Sequence, residues 1–139
     1  MPKSLSHVVV LTDDLEAVVR FLTEVANIQP VERYETRPED VEALFGWPIE
    51  HGRASGAFVG TGPGALDVLE IPDALRDSVR PGVRLLAIAN RDAAAVRDAA
   101  TAAGFAARGP FATVTATGGT MHTTEVIAGG IPFELTQFS

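Results

Sequence analysis

Ser6–Val25, SHVVVLTDDLEAVVRFLTEV, is the stretch that decides the fold of this chain. Its first six residues are mostly β-branched or aliphatic, which favours a strand. Thr12-Asp13-Asp14 then supplies a helix N-cap and acidic residues that suit the helix dipole. Apolar residues recur at helical spacing after the cap and predict one buried stripe, namely Leu15, Val18, Val19, Leu22 and Val25. The stretch therefore predicts a strand followed directly by an amphipathic helix.

The same order returns in the second half of the chain. Asp14-Leu15-Glu16-Ala17-Val18 aligns with Asp92-Ala93-Ala94-Ala95-Val96, an offset of 78 positions (92 − 14). The segment Val83–Ala89 is predicted as a strand, and Asn90 is a candidate N-cap. An alanine-rich helix is predicted at Asp92–Ala103, ending before Gly104. An internal repeat of this kind indicates two copies of one structural unit.

Each half continues with further predicted strands. The first half gives strands at 31–36, 54–60 and 65–71, with a short helix at 41–45 after a capping-box pattern, Thr36-Arg37-Pro38-Glu39. The second half gives strands at 105–108, 111–117, 120–127 and 132–138. We therefore predict an α+β fold in one domain, 1–139. Two βαβββ modules, about 5–72 and 82–139, would form a curved eight-stranded mixed sheet with helices on the convex face.

Composition narrows the classes of function. The 139 residues carry 18 acidic and 11 basic side chains, a formal net charge of −7, and no cysteine. A negative field without a basic cluster argues against nucleic-acid binding, and the lack of cysteine excludes disulfides and thiolate chemistry. No apolar run reaches the length of a membrane span, and the first residues lack the pattern of a signal peptide. A cytoplasmic location is expected.

Three stretches carry a resemblance to a known family. The opening SHVVVLTDDLEAVVRFLTEV, the later LFGWP and GALDVLEIP, and the closing IAGGIPFELTQF resemble the vicinal-oxygen-chelate superfamily, which includes glyoxalase, bleomycin-resistance proteins and extradiol dioxygenases. The resemblance covers nearly the whole chain. It implies the paired-module fold and a small-molecule site. It leaves open whether the protein is an enzyme, since such families hold both catalysts and binding proteins.

The resemblance also implies a set of candidate site residues. In metal-dependent members each module contributes one ligand from its first strand and one from its last. Those positions fall on His7 and Asp67 in the first module, and on Leu85 and Glu134 in the second. Leu85 stands where a second histidine is usual and cannot coordinate a metal. Carboxylates among apolar neighbours need a partner, because burying an unpaired charge is costly.

Three functions remain open at this stage. The first is a metal-free protein that binds a hydrophobic or aromatic compound such as an antibiotic, with candidate ligand contacts at His7, Val9, Trp47, Leu85, Met121 and His122. The second is a metal-dependent lyase or isomerase of the glyoxalase or epimerase type, in which His7, Asp67 and Glu134 hold a divalent ion such as Ni²⁺, Zn²⁺, Mn²⁺ or Fe²⁺. The third is a metal-free enzyme that uses Asp67 or Glu134 as acid or base.

Other expectations concern the surface and the assembly. Arg84 alternates with Leu85 and is expected to face away from the pocket, towards an acidic residue on a helix. His51 is expected in a solvated turn, and His122 is predicted more readily as an interior or edge histidine than as a catalytic group. The exposed edges of a curved sheet predict a homodimer. No nucleic-acid or membrane partner is expected.

Overall fold

The computed structural model describes residues 5–48, 50, 53–89, 92–115 and 118–138. In this part of the chain three helices and eight strands follow one another in the order β1 Leu5–Thr12, α1 Leu15–Arg20, β2 Val31–Glu35, α2 Pro38–Phe45, β3 Ser55–Val59, β4 Ala65–Glu70, β5 Gly82–Ala89, α3 Ala93–Ala102, β6 Ala106–Val114, β7 Thr120–Ala128 and β8 Ile131–Phe138. A wider helical turn at Phe21–Val25 continues α1, and Asp73–Leu75 forms a short 3-10 turn.

The strands form one mixed sheet in the order β2-β3-β4-β1-β5-β8-β7-β6. Within each module the first and last strands are parallel neighbours, β1 with β4 and β5 with β8. The two modules join through the antiparallel pair β1 and β5 at the centre of the sheet. The predicted α+β fold with a curved eight-stranded sheet is confirmed.

The internal repeat extends to the hydrogen bonds at the helix starts. The side chain of Asp14 accepts a hydrogen bond from the backbone N–H of Ala17, and Asp92 accepts one from Ala95 in the same way. At the next position, Glu70 Oε1 accepts from the N–H of Leu15 at 3.2 Å. In the second module, Gln137 Oε1 accepts from the N–H of Ala93 at 3.0 Å. In each helix, two N–H groups of the first turn are therefore satisfied by side chains that occupy equivalent positions in the two modules.

Strand register relates the candidate site residues in the same manner. Asp67 on β4 lies beside Val9 on β1, and Glu134 on β8 lies beside Ala87 on β5. Val9 and Ala87 are themselves 78 positions apart (87 − 9), the offset that the sequence shows. Asp67 and Glu134 therefore occupy equivalent places in the two modules.

The helices pack on both faces of the sheet. Helix α1 buries Leu15 and Val19 against an apolar cluster that includes Val59 and Val68. Helix α3 packs on β6 and β7, where the hydroxyl of Thr124 donates to the carbonyl of Ala93 at 2.6 Å. Helix α2 lies on the opposite face, which carries the candidate site residues. None of the described helices is long and apolar enough to span a membrane.

Local details differ from the sequence predictions at two places. The segments predicted as strands 105–108 and 111–117 form one strand, β6, whose pairing with β7 is interrupted between Arg108 and Phe111. The capping box at Thr36 is not formed, because the hydroxyl oxygen of Thr36 accepts a hydrogen bond from the N–H of Ala54 instead. Arg37 is the N-cap residue and is held in extended conformation before Pro38. Asn90 and His51 lie outside the described residues.

The expectation for Arg84 is wrong because strand β5 contains an irregularity. Val10 pairs with Val83 and Val9 pairs with Leu85, so Arg84 is an extra residue on its strand. A bulge interrupts the strict alternation of side chains between the two faces. The guanidinium of Arg84 consequently lies over the ring of Phe45, 5.6 Å from its centroid, on the side of the sheet that carries α2.

Candidate active site

A cavity of about 400 Å³ lies between the cupped face of the sheet and helix α2. Strands of both modules and α2 contribute to its wall. Its apolar lining includes Val9, Val41, Leu44, Phe45, Phe58, Leu69, Met121 and Phe138. Its polar lining includes His7, Tyr34, Asp40, Asp67, Thr113 and Glu134. A mostly apolar cavity with a few converging polar groups is typical of a small-molecule site.

The structure brings five of the predicted site residues together in this cavity: the apolar contacts Val9 and Met121, and three groups that can exchange protons. His7 on β1, Asp67 on β4 and Glu134 on β8 all line it. His7 is 5% exposed and Glu134 is 3% exposed. Because β4 and β8 lie on either side of the central pair β1 and β5, the two carboxyl groups approach the cavity from two walls.

Burial changes the protonation of all three groups. The loss of hydration raises the pKa of Asp67 to about 6 although a hydrogen bond from Tyr34 opposes this change. The pKa of Glu134 rises to about 8, mainly through burial and further through the charges of Asp67 and Glu125. Burial lowers the pKa of His7 to about 4. At neutral pH the cavity therefore holds an ionised Asp67, a protonated Glu134 and a neutral imidazole.

His7 is held in place by its neighbours. Its ring contacts Phe58 edge-on, with ring centroids 5.1 Å apart. Its Nδ1 atom lies 3.2 Å from the hydroxyl oxygen of Ser6. The aromatic contact and the hydrogen bond fix the orientation of a neutral imidazole beside the two carboxyl groups.

Tyr34 on β2 extends the site across strand β3. Its hydroxyl donates a hydrogen bond to Oδ1 of Asp67. Burial, together with the charge and hydrogen bond of Asp67, raises the pKa of Tyr34 well above its ordinary value of 10.0. The phenol therefore remains a proton donor to Asp67 across the physiological pH range.

A second carboxylate lies behind Glu134. Glu125 on β7 is the direct cross-strand neighbour of Glu134 and is paired with Arg108, whose Nε atom lies 2.9 Å from Oε1. Arg108 also donates to the carbonyl of Leu44 at 3.1 Å. The positive charges of Arg84 and Arg108 lower the pKa of Glu134, but burial and the two neighbouring carboxylates outweigh them.

Helix α2 is tied to the second module by polar contacts. The buried carboxylate of Asp40 accepts hydrogen bonds from Arg37, at 2.7 and 3.0 Å, and from the backbone N–H of Val114 on β6, at 3.2 Å. At its other end, α2 presents the carbonyl of Leu44 to Arg108. These contacts hold α2 over the cavity and close one side of it.

Three of the predicted ligand contacts lie elsewhere. Trp47 is buried in a core cluster with Leu11 and Ile71 and is not in the cavity lining, although its ring contacts the cavity residue Phe45, with ring centroids 5.1 Å apart. Leu85 is 1% exposed and packs against Val9 below the cavity surface. His122 does not line the cavity. Its cross-strand partner Gln137 binds the start of α3 on the other face, so side-chain alternation turns His122 away.

The donor set does not match a preformed metal site. Among the described residues no group of three or more histidine or carboxylate side chains has an arrangement that could hold a metal ion. Leu85 supplies no donor atom at the position equivalent to His7. In addition, Oδ1 of Asp67 is already engaged by the hydroxyl of Tyr34.

Comparisons with known proteins agree with the architecture. The family model described as the Glyoxalase/Bleomycin resistance protein/Dioxygenase superfamily matches residues 4–134. The chain belongs to this superfamily. Among curated protein sequences, none matches it.

Solved structures of this superfamily fold resemble the chain at low sequence identity. Methylmalonyl-CoA epimerase from Mycobacterium tuberculosis is 16% identical with a TM-score of 0.71, and the match covers 98% of this chain and 88% of that one. A variant of methylmalonyl-CoA epimerase from Streptomyces coelicolor, in complex with 2-nitronate-propionyl-CoA, is 15% identical with a TM-score of 0.67, covering 96% of both chains. A hypothetical protein from Bacillus halodurans is 12% identical with a TM-score of 0.69, covering 99% of this chain and 95% of that one. At these identities the likeness shows the fold alone.

Several site residues were not predicted from the sequence. Tyr34 and Glu125 were missed, as was Arg108. Alternation along β7 could have found Glu125, because it shares a face with Met121, a predicted contact. Tyr34 gives a weaker signal, since its contact with Asp67 depends on how the sheet brings β2 towards β4.

Proposed function

We propose that this superfamily member is an enzyme that transfers a proton at a carbon atom next to a carbonyl group, as an epimerase, isomerase or lyase does. The observation that carries the proposal is the pair of carboxyl groups, the buried Glu134 and the partly buried Asp67, on two walls of one cavity. With pKa values of about 6 and about 8, one is ready to accept a proton at neutral pH and the other to donate one. Titratable groups whose environments separate their pKa values are the usual acid and base of such sites.

The proposed chemistry needs only groups that line the cavity. Asp67 removes the proton from the carbon, and the electron pair of the C–H bond moves towards the carbonyl oxygen to give an enolate. Glu134 then returns a proton to that carbon from the other wall, which inverts its configuration. The neutral imidazole of His7 is placed to form a hydrogen bond with a polar group of the substrate. The apolar lining excludes water and so strengthens these interactions.

Similar structures favour epimerisation within this class. Two of the solved structures described above are of methylmalonyl-CoA epimerase, and both share the whole fold with this chain. This support is an analogy of fold, because function depends on the site and not on the scaffold. The substrate class proposed here is accordingly broad: a small carbonyl compound with a proton-bearing carbon beside the carbonyl.

A second candidate function is the metal-free binding of a hydrophobic or aromatic compound such as an antibiotic. The feature that favours it is the aromatic part of the lining, Phe45, Phe58 and Phe138. A cavity of about 400 Å³ is also of the size that holds a drug-like molecule. In that case the carboxyl groups would serve as polar anchors and no reaction would follow.

Isotope exchange in heavy water separates these functions. Free acids, esters and thioesters with one proton on the carbon beside the carbonyl are incubated with the protein, and deuterium uptake at that carbon is followed by NMR. We expect uptake by the wild type, with a loss of about 10²- to 10⁴-fold in Asp67→Asn and in Glu134→Gln. The exposed Glu24→Gln variant is the matched control and should retain the wild-type rate.

The possible outcomes of this experiment distinguish the candidate functions. Exchange that disappears after treatment with a chelator and returns with Ni²⁺, Zn²⁺, Mn²⁺ or Fe²⁺ would favour the metal-dependent alternative. A complete absence of exchange over the panel, together with saturable binding of aromatic compounds, would favour the binding protein. Equal rates in Asp67→Asn and in the wild type would contradict the assigned base.

We also propose that the protein forms a homodimer and is located in the cytoplasm, as the sequence predicts. Strands β2 and β6 end the sheet. The apolar side chains of Val114 and Phe138 line the cavity and are 46% and 53% exposed, which makes this rim a candidate for contact with a second copy. Light scattering coupled to size-exclusion chromatography tests the assembly, and a monomer at micromolar concentration would contradict it.

A further inference from the structure

Tyr34 occupies its position because the facing residue has no side chain. Tyr34 on β2 pairs directly with Gly56 on β3. A Cβ atom at Gly56 would lie 2.6 Å from the phenolic oxygen and closer still to the ring. The backbone of Gly56 is not in the left-handed region that favours glycine, so its role here is to leave space. The ring of Tyr34 passes over β3 through that space.

The space lets the hydroxyl of Tyr34 reach the neighbouring strand. Asp67 lies on β4, two strands away from Tyr34 in the sheet. The hydroxyl donates to Oδ1 of Asp67, and no described residue donates a hydrogen bond to Oδ2. One oxygen of the carboxylate is therefore held by the protein, and the other is left for a bound molecule.

We propose that Tyr34 is a positioning residue for Asp67, and that Gly56 is the residue whose lack of a side chain makes this possible. The hydroxyl fixes the carboxylate of Asp67 so that Oδ2 takes the substrate proton, while Glu134 on the other wall returns one. The catalytic part of this inference rests on the proposed function. The physical coupling between Tyr34 and Asp67 does not.

The coupling has a measurable effect on both partners. The charge and hydrogen bond of Asp67 raise the pKa of Tyr34 beyond the rise caused by burial. In return, the hydrogen bond from Tyr34 lowers the pKa of Asp67 against the effect of burial. Titratable or charged groups from every surrounding element also line this cavity, namely His7 on β1, Glu32 and Glu35 on β2, Arg37 and Asp40 at the start of α2, and Glu134 on β8.

The first test measures the pKa of the Tyr34 phenol and requires no substrate. Tyr34 is the single tyrosine of the chain, so the ultraviolet absorbance of the phenolate reports this group alone. Trp47, the single tryptophan and buried, reports through its fluorescence whether the chain stays folded at high pH. We expect Asp67→Asn to lower the phenol pKa by about one pH unit or more, since one hydrogen bond and one charge are removed.

A matched control removes a different carboxylate of the same cavity. Glu32 lies on the strand of Tyr34 and lines the cavity without bonding to the phenol. Glu32→Gln should leave the phenol pKa within a few tenths of the wild-type value. Equal phenol pKa values in Asp67→Asn and in the wild type would overturn the inference.

The second test measures the pKa of the Asp67 carboxyl group. Tyr34→Phe removes the hydroxyl and keeps the ring, whereas Gly56→Ala displaces the whole ring. Ser55→Ala, at the adjacent position of β3, is the matched control. We expect carboxyl NMR of ¹³C-labelled aspartate to show the pKa of Asp67 raised by about one pH unit in the first two variants and unchanged in the third.

The same variants relate the coupling to catalysis. The acidic limb of the pH profile for deuterium uptake should move upward in Tyr34→Phe, with a larger effect on kcat than on KM. A normal profile in this variant would overturn the inference and leave the proposed function intact. If the pKa values shift in the variants as expected but the wild type exchanges no proton, the proposed function is overturned and the Tyr34–Asp67 coupling stands. If Gly56→Ala does not fold, the Tyr34→Phe variant alone is sufficient to test the inferred role of Tyr34.

Discussion

Replacing Glu134 by glutamine should stabilise the folded protein, and increasingly so as the pH rises. Glutamine has the shape of a protonated glutamic acid and carries no charge that burial could penalise. Glu134 is 3% exposed, and its pKa is raised from 4.5 to about 8 in the folded chain. The folded state therefore holds a proton that the unfolded state has lost, over most of the pH range between those two values.

The size of the effect follows from these two pKa values. Below pH 4.5 the carboxyl group is protonated in both states, so its burial opposes folding little. Between 4.5 and pH 7 lie about 2.5 pH units, each worth about 1.4 kcal/mol, so the wild type loses about 3 kcal/mol of folding free energy by pH 7. Above pH 8 the loss reaches its full value of about 5 kcal/mol, since the group is then ionised in both states.

Denaturant unfolding at several pH values measures this difference directly. The fluorescence of Trp47 follows unfolding, and the free energies of Glu134→Gln and of the wild type are compared at each pH. We expect a difference near zero at pH 4.5, about 3 kcal/mol in favour of the variant at pH 7, and a larger difference at pH 8. The other shifted groups, Asp67 and His7, are present in both proteins and largely cancel from the comparison.

The control is Glu24→Gln, which removes the same formal charge from an exposed position. Its stability difference from the wild type should stay within about 0.5 kcal/mol at every pH. A difference for Glu134→Gln that does not change with pH would refute the reasoning. So would a variant that is less stable than the wild type at pH 8.

Three further changes test other parts of the structure. Leu85→His should create affinity for Ni²⁺ or Zn²⁺, measured by calorimetry, because it adds an imidazole at the position equivalent to His7; no gain would mean that positions 7, 67, 85 and 134 do not form one coordination centre. Asp40→Ala should destabilise the fold by about 1–3 kcal/mol and speed hydrogen exchange of the Val114 amide, whereas the exposed Glu39→Ala should do neither. Leu69→Ala, at 2% exposure, should lower the free energy of unfolding by about 2–5 kcal/mol with an unchanged denaturant slope, and a loss below 1 kcal/mol would contradict its place in the core.

The fold could be predicted because local and long-range signals agree. Asp14 and Asp92 are helix caps with the same spacing to a preceding apolar strand, and the structure gives both of them the same hydrogen bond. The strand pattern also places Asp67 and Glu134 on the face that carries the cavity. These features depend on periodicity along the chain, which a sequence displays directly.

The rest of the site depends on a strand irregularity and on packing contacts that hydrophobic periodicity does not predict. The extra residue at Arg84 breaks the alternation of β5 and directs the guanidinium to Phe45. Trp47 was expected near a ligand, but the apolar cluster beneath α2 accommodates it fully. Tyr34 reaches Asp67 only because Gly56, on the intervening strand, leaves its ring room. Each outcome is decided by packing in three dimensions.

Among the described residues of the second module, helix α2 has no counterpart, and α3 is followed by three consecutive strands. A duplicated scaffold alone would offer a ligand two orientations related by its approximate twofold axis. The one-sided helix, anchored to β6 through Asp40, makes those orientations unequal in energy. Under the proposed function, α2 would therefore determine which face of a chiral substrate meets Asp67, and stereochemical preference should change more with substitutions in α2 than with substitutions in the repeated strands.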